Sequence, residues 1–210
     1  MTQADSKAFE VGTTGWTAAD LDDPAIEREW FLHRYEIVEG VLTKMAAAYF
    51  AGSRALGRLR RQLEQYFEQQ GAAGDFAPEA DIVLSESRVI RADEAFLTAE
   101  DQARQDEASS RAGKADLART RILVPPTLII ESVSPGHEQH DYRTKRRWYA
   151  EFGVGNYWIL NAAAQTLVCL VLEEGVYRTD FEAKGAEMVR PPAFPGLEIN
   201  LASLWGPAGK

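Results

Sequence analysis

The chain has 210 residues, 45% of them hydrophobic and 26% charged, with a net charge of −9. These proportions suit one globular domain with a full core. The acidic balance excludes a general nucleic-acid coat, because covering phosphates needs a positive surface, while leaving room for a local basic patch. The single cysteine, Cys169, sits in an apolar run at 167–171, which rules out an intramolecular disulfide and reads as a buried small hydrophobe. Residues 1–15 lack the apolar stretch of a signal peptide, and no apolar run approaches the ~20 residues of a membrane span, so a cytoplasmic protein is expected.

In chain order, Thr17-Ala18-Ala19-Asp20 has the form of a capping box opening a short helix, and Pro24 starts a second helical piece to about His33. Residues 35–38 and 41–45 are short β-type runs around Glu39-Gly40, a hairpin signal. Residues 46–70 form the longest helical stretch, with Leu56, Leu59, Leu63, Tyr66 and Phe67 on one face. Arg54, Arg58 and Arg61 align on another face; such a row is ordinarily solvated, and otherwise is a ridge that meets phosphate. Residues 76–84 and 88–98 form a β region about the turn Ser85-Glu86-Ser87, with Asp93 interrupting its apolar pattern. Residues 100–121 are small, polar and mixed in charge, and read as an exposed insertion or mobile loop.

The centre of the chain is 123–161. A strand at 127–133 runs apolar residues into Glu131, Ser134 to His137 turn the chain, and a helix carries Asp141 and Lys145 to Phe152-Gly153. A second strand follows at 156–160. Residues 166–172, 176–181 and 187–190 read as a meander, and 197–201 as an edge strand or final turn. The expectation is one domain over 16–204, between a flexible N-terminus, 1–15, and a tail, 205–210.

Chemistry is expected where acids end or interrupt apolar strands, because a buried carboxylate is costly without a partner or metal. Asp93 and Glu131 are such acids; two carboxylates with carbonyls and water make a hard-cation site suited to Mg²⁺ or Mn²⁺, which polarises phosphodiesters. Asp81 rivals Asp93 on the same grounds, and the residues alone leave that choice open. In the helix after Pro135, Lys145, Trp148 and Phe152 share the Asp141 stripe, so Lys145 emerges on the core side. Lys145 is then either a charge-stabilising group near the acids or half of a helix pair with Asp141, its stem lying over Trp148. Arg143, Arg146 and Arg147 take the outer side and, with Arg58, are candidate phosphate contacts. His33, His137 and His140 read as exposed residues; His137 and His140 flank the helix entry.

A set of segments then occurs in one order and spacing: Tyr35-Glu36-Ile37-Val38-Glu39-Gly40; Arg91-Ala92-Asp93; Ile129-Ile130-Glu131-Ser132-Val133-Ser134-Pro135; Asp141 with Lys145 and Tyr149; Gly153-Val154; and Tyr157-Trp158-Ile159-Leu160. Together they resemble the Uma family of proposed restriction endonucleases, within the PD-(D/E)XK nuclease superfamily, over about residues 16–204. The resemblance implies an α/β (α+β), restriction-endonuclease-like core, a central mixed sheet flanked by helices. It implies Asp93 as first acid and Glu131 as second, both holding metal, with Glu36 a further acid. It implies that the lysine comes from the helix, at Lys145, because the usual position two residues after the glutamate is Val133. Two departures stand out: Ala92 replaces the proline before the first acid, and Gly52 lies where a histidine often opens the long helix. The expected activity is metal-dependent hydrolysis of DNA by a homodimer. The alternative is an inactive binding or dimerisation module on the same fold, with the 166–181 meander pairing across a two-fold.

Overall fold

The computed structural model describes residues 7, 9–45, 49–71, 73–111, 121–136 and 138–206. Local chemistry sets the first elements. Asp20 accepts from the Thr17 backbone N–H at 2.7 Å and closes the capping box over a 3-10 turn, Ala18–Asp22. Asp23 caps helix α1, Pro24–His33, by accepting from the Ala25 N–H, and proline occupies the first turn, where its missing N–H costs nothing. Strands β1, Tyr35–Val38, and β2, Val41–Lys44, form the expected hairpin. Its turn residues Glu39 and Gly40 both take positive φ, 51° and 74°, a backbone sense that matches strand twist.

Helix α2, Phe50–Gln69, precedes a long hairpin of β3, Gly74–Ser85, and β4, Arg88–Thr98. Helix α3, Ala99–Arg111, leads toward β5, Arg121–Ile122. Strand β6, Leu128–Ser132, runs parallel to β7, Asn156–Asn161. Parallel neighbours need a crossover, and here it is a π-helical turn, His140–Lys145, continuing into helix α4, Arg146–Phe152. Strands β8, Thr166–Glu173, and β9, Val176–Lys184, extend the sheet; β10, Met188–Val189, and β11, Ile199–Asn200, pair separately before helix α5, Leu201–Trp205. The large sheet is ordered β2-β1-β4-β6-β7-β8-β9, with β3 branching from β4 and β5 pairing with β3. The result is the expected mixed sheet with helices on both faces.

β6 and β7 are covered on both sides, which is why they read as continuous apolar runs. Leu128, Ile130, Trp158 and Leu160 meet Leu56, Leu59 and Leu63 of α2. Ile129, Tyr157 and Ile159 meet Trp148 and Tyr149 of α4. Burying each such side chain contributes about 1.5–3 kcal/mol. Glu131 therefore occupies a position on the α4 face that its neighbours fill with isoleucine.

Strand β4 holds the feature that builds the site. One edge pairs with β3 along most of its length. The other edge is shared: β1 meets it at Val89, and β6 meets it at Glu94 to Phe96. Between those contacts, residues 90–92 pair with β3 but have no ladder partner on this shared edge. Ile90 and Ala92 also share a core with Ala95 and Leu97, so side-chain alternation inverts across Asp93 and Glu94. Glu79, on β3 opposite this inversion, has φ 50°.

Several expectations need correction. Residues 100–121 are not an unstructured insertion as far as they are described: α3 occupies 99–111, and 112–120 lie outside the described residues. Polar anchors rather than apolar ones dock it, which hid it in the composition. Asp101 is 3% exposed and accepts from the backbone N–H groups of Thr98 and Thr127 and from the Thr127 hydroxyl at 2.6 Å; Arg104 pairs with it. Nor is 1–15 wholly a loose end. Gly12 N–H donates to Leu42 O, Thr14 bridges Val41, and Phe9 packs on Trp16 and Tyr35. Trp205, assigned to the tail, closes α5 and donates to Gly185 O.

Asp101→Ala strips three half-buried donors of their acceptor and should cost about 2–4 kcal/mol in urea unfolding. A loss within about 0.5 kcal/mol, the range of an ordinary surface substitution, would refute the docking of α3.

Candidate active site

The gap on this edge of β4 leaves the Arg91 N–H and C=O without a ladder partner there, and two charged side chains meet them. Glu36 of β1 accepts from the Arg91 N–H at 3.1 Å, and the Lys145 ammonium lies 3.4 Å from Arg91 O. Asp93 accepts from the Ser132 N–H at 2.8 Å and so bridges β4 to the end of β6. The β4–β6 register pairs Glu94 with Ile130, so its continuation sets Asp93 opposite Glu131. Directly opposed residues in an antiparallel pair project to the same face.

Glu131 is 1% exposed. Its Oε1 lies 2.9 Å from Lys145 Nζ and accepts from the Tyr149 hydroxyl at 2.6 Å. Lys145, 4% exposed, also stands 4.0 Å from Glu36 and 4.0 Å from Asp141. The π-helical turn carries both Asp141 and Lys145, and such turns recur at functional positions because the widened helix re-aims its side chains. A cleft of about 520 Å³ opens here, with Glu36, Asp93, Glu131, Asp141 and Lys145 among its walls. Residues 53, 56, 57 and 60 of α2 supply a further wall at helical spacing.

The structure thus brings together Asp93, Glu131, Lys145 and Glu36, and it adds Asp141 and Tyr149. Asp81, the rival acid, is committed elsewhere: it forms a two-point pair with Arg91, 2.7 and 3.0 Å, and accepts from Trp30 Nε1 at 2.7 Å. The arginine expectations are corrected. Arg58 donates to Leu204 O on the α5 side, Arg146 donates to Tyr177 O, Arg147 pairs with Glu151, and Arg143 is exposed; none of the four lines the cleft. The reason is helical phase: the α2 stripe facing the cleft ends at Arg60, whereas Arg58 and Arg61 face Ser203. Arg34, Lys44 and Arg60 are the cationic groups on the cleft wall besides Lys145. Arg54 lies over the Phe50 ring, 5.7 Å away.

Of the histidines, His33 faces Glu29 at 3.3 Å, His140 lines the cleft with its ring edge-on to Trp148, and His137 lies outside the described residues. At Gly52 a Cβ would stand 2.3 Å from Ser132 Oγ, so a side chain there requires that hydroxyl to turn away.

Sequence reasoning missed Glu94. It is 2% exposed on the α2 face of β4, with Oε2 3.4 Å from Arg60 Nη1 and Oε1 without a hydrogen-bond partner. The signal was present: an acid directly follows Asp93 in an otherwise apolar run.

Charge sets the protonation of the cluster. Burial pushes the Glu131 carboxyl up to about 8 against the pull of Lys145, with Asp93 and Asp141 adding to the rise. Burial likewise raises Glu36. Burial works against the Lys145 cation, but Glu131, Glu36 and Asp141 outweigh it, so Lys145 stays charged. Glu94 is pushed up to about 7 by burial, with Arg60 opposing.

Carboxyls raised in this way bind protons more tightly folded than unfolded. Their stabilisation is complete below the ordinary carboxylate range and is lost as pH rises through about 7 for Glu94. In chelator, the melting temperature should fall between about pH 5 and about pH 8. Glu94→Gln should flatten that fall by on the order of 1–3 kcal/mol. A flat or rising profile in the wild-type protein would contradict these protonation states.

Comparison with known proteins gives the same outline. A crystal structure of a putative nuclease belonging to DUF820, from Anabaena variabilis ATCC 29413, superposes with a TM-score of 0.61 at 15% identity, covering 81% of this chain and 89% of that one; at this identity it shows the fold. No curated protein matches the chain. A family model described as "Uma2: Putative restriction endonuclease" matches residues 29–202. With that span covering most of its length, and with the Glu36, Asp93, Glu131 and Lys145 cluster inside it, the chain belongs to the Uma2 family.

Proposed function

We propose that this protein is a divalent-metal-dependent endonuclease that hydrolyses DNA phosphodiester bonds. The observation that carries the reading is the convergence of Asp93 and Glu131, from adjacent strands, on one cleft wall with the Lys145 ammonium 2.9 Å from Glu131. Four acids, Glu36, Asp93, Glu131 and Asp141, face one ammonium there. That excess of negative charge in a buried wall is what a hard cation relieves.

The donor set fits Mg²⁺ or Mn²⁺. Among the described residues no three His, Cys, Asp or Glu side chains form a ready metal cage. Mg²⁺ does not need one, since it binds through one or two carboxylates and keeps several waters. Asp93 and Glu131 would hold the ion, which supplies Lewis-acid polarisation of the phosphodiester. Lys145 keeps its proton at Nζ and offers a fixed cation to the charge that develops on the phosphoryl oxygens. Glu36 and Asp141 hold that ammonium in place, and Tyr149 fixes the Glu131 carboxyl by donating to Oε1. Val133 is 1% exposed in the core, so the helix-borne lysine takes the role that the strand cannot fill.

Purified protein should nick or linearise plasmid DNA with Mg²⁺ or Mn²⁺ and stop when the ion is chelated. Asp93→Ala, Glu131→Ala and Lys145→Met should each lower the rate by on the order of 10²–10³-fold. Thermal melts run alongside separate lost chemistry from lost folding. Unchanged cleavage in folded Asp93→Ala and Glu131→Ala would remove the proposal, and a folded wild type inert with every divalent ion would favour the non-catalytic module instead.

A further inference from the structure

The acids and Lys145 explain where a cation would sit, but not how a polyanion enters an acidic cleft on a chain of net charge −9. Arg60 and Glu94 supply an answer that the cluster around Lys145 does not use. Glu94 is a buried acid in an apolar strand; one of its oxygens touches Arg60 Nη1 at 3.4 Å and the other has no partner. Arg60 also has Nε 3.4 Å from Glu64 Oε1, outside hydrogen-bond geometry. A guanidinium offers five donors in a rigid fork, and charge-assisted bonds usually close to about 2.7–2.9 Å. Arg60 is thus held by two carboxylates at long range, with most of its donors unspent. Its side chain is 35% exposed and lines the cleft.

We propose that Arg60 binds a backbone phosphate of the substrate and that Glu94 is its positioning residue. Glu94 holds the guanidinium at Nη1, and the exposed Glu64, 3.4 Å from Nε, turns aside to free the Nε–Nη2 edge for two oxygens of a phosphate. This rests on the nuclease reading for the identity of the anion as DNA. Arg60 is one turn from Gly57 on the stripe of α2 that faces the cleft, and Glu94 adjoins Asp93, so the phosphate would be held beside the acid that the reaction needs. Lysine would not substitute well, because a point charge lacks the two-point geometry.

The test is binding of a short fluorescent DNA duplex in chelator, followed by anisotropy across a salt series. Arg60→Gln should weaken binding several-fold and lower the salt slope by about 1. Arg60→Lys should keep the slope while losing most of the affinity, and Glu94→Gln, which retains an acceptor oxygen, should bind like the wild type. Glu94→Leu should bind more weakly although it removes a negative charge. The double variant Arg60→Leu with Glu94→Leu replaces the pair by apolar side chains, a change that folds often tolerate, and should melt normally with the slope still reduced. An unchanged slope in Arg60→Gln, or tighter binding in Glu94→Leu, would overturn the assignment. Binding with the expected slopes but no cleavage in any divalent ion would keep it and remove the nuclease reading; cleavage with an unchanged slope would do the reverse.

Discussion

The site depends on the backbone of one residue, Arg91, which pairs with β3 on one side and has no ladder partner on the other. Arg91 lies where β1 has left the edge of β4 and β6 has not yet joined, and a buried N–H and C=O without partners would cost several kcal/mol together. Glu36 takes the N–H and Lys145 meets the carbonyl. Two residues that a chemist would assign to catalysis are therefore also the pieces that let the sheet divide. The division in turn makes room for Asp93 and Glu131 to open onto the cleft rather than be sealed beneath another strand.

Electrostatics follow from the same arrangement. Four carboxyls share one ammonium, and burial with neighbouring acids holds Glu131 and Glu36 above their ordinary range. The cluster is unbalanced in the direction of binding positive charge. The arginines on the cleft wall, Arg34 and Arg60, stand apart from this cluster, paired with Glu79 and Glu94 instead.

Much of the architecture was legible from periodicity and turn chemistry. The Glu39-Gly40 hairpin, the apolar face of α2, and the strand-turn-helix-strand unit around Glu131 follow from local preference and a core that agrees with it. Of the cluster, Glu131 stood out because it ends an apolar strand, whereas Asp93 and Lys145 joined it through the family resemblance. What escaped was set by tertiary geometry. Which arginine of α2 faces the cleft depends on how the helix is rotated about its axis, and a row at 54, 58 and 61 differs from the stripe ending at 60 by about one residue, a turn of roughly 100°. α3 escaped because Asp101 anchors it through hydrogen bonds, which leave no apolar rhythm. Asp81 and Asp93 could not be told apart in sequence, since only the Arg91 and Trp30 side chains commit the former.

The branching of the sheet at β4 also bears on how such a protein could change through descent. Were the proposed hydrolysis lost, a lineage still could not freely discard Glu36 or Lys145, because they complete the Arg91 backbone that they now plug. Asp93, which ties β4 to β6 through the Ser132 amide, is constrained in the same manner. Folding alone would thus protect the machinery after its purpose was gone, and a dormant copy could be returned to service by few substitutions.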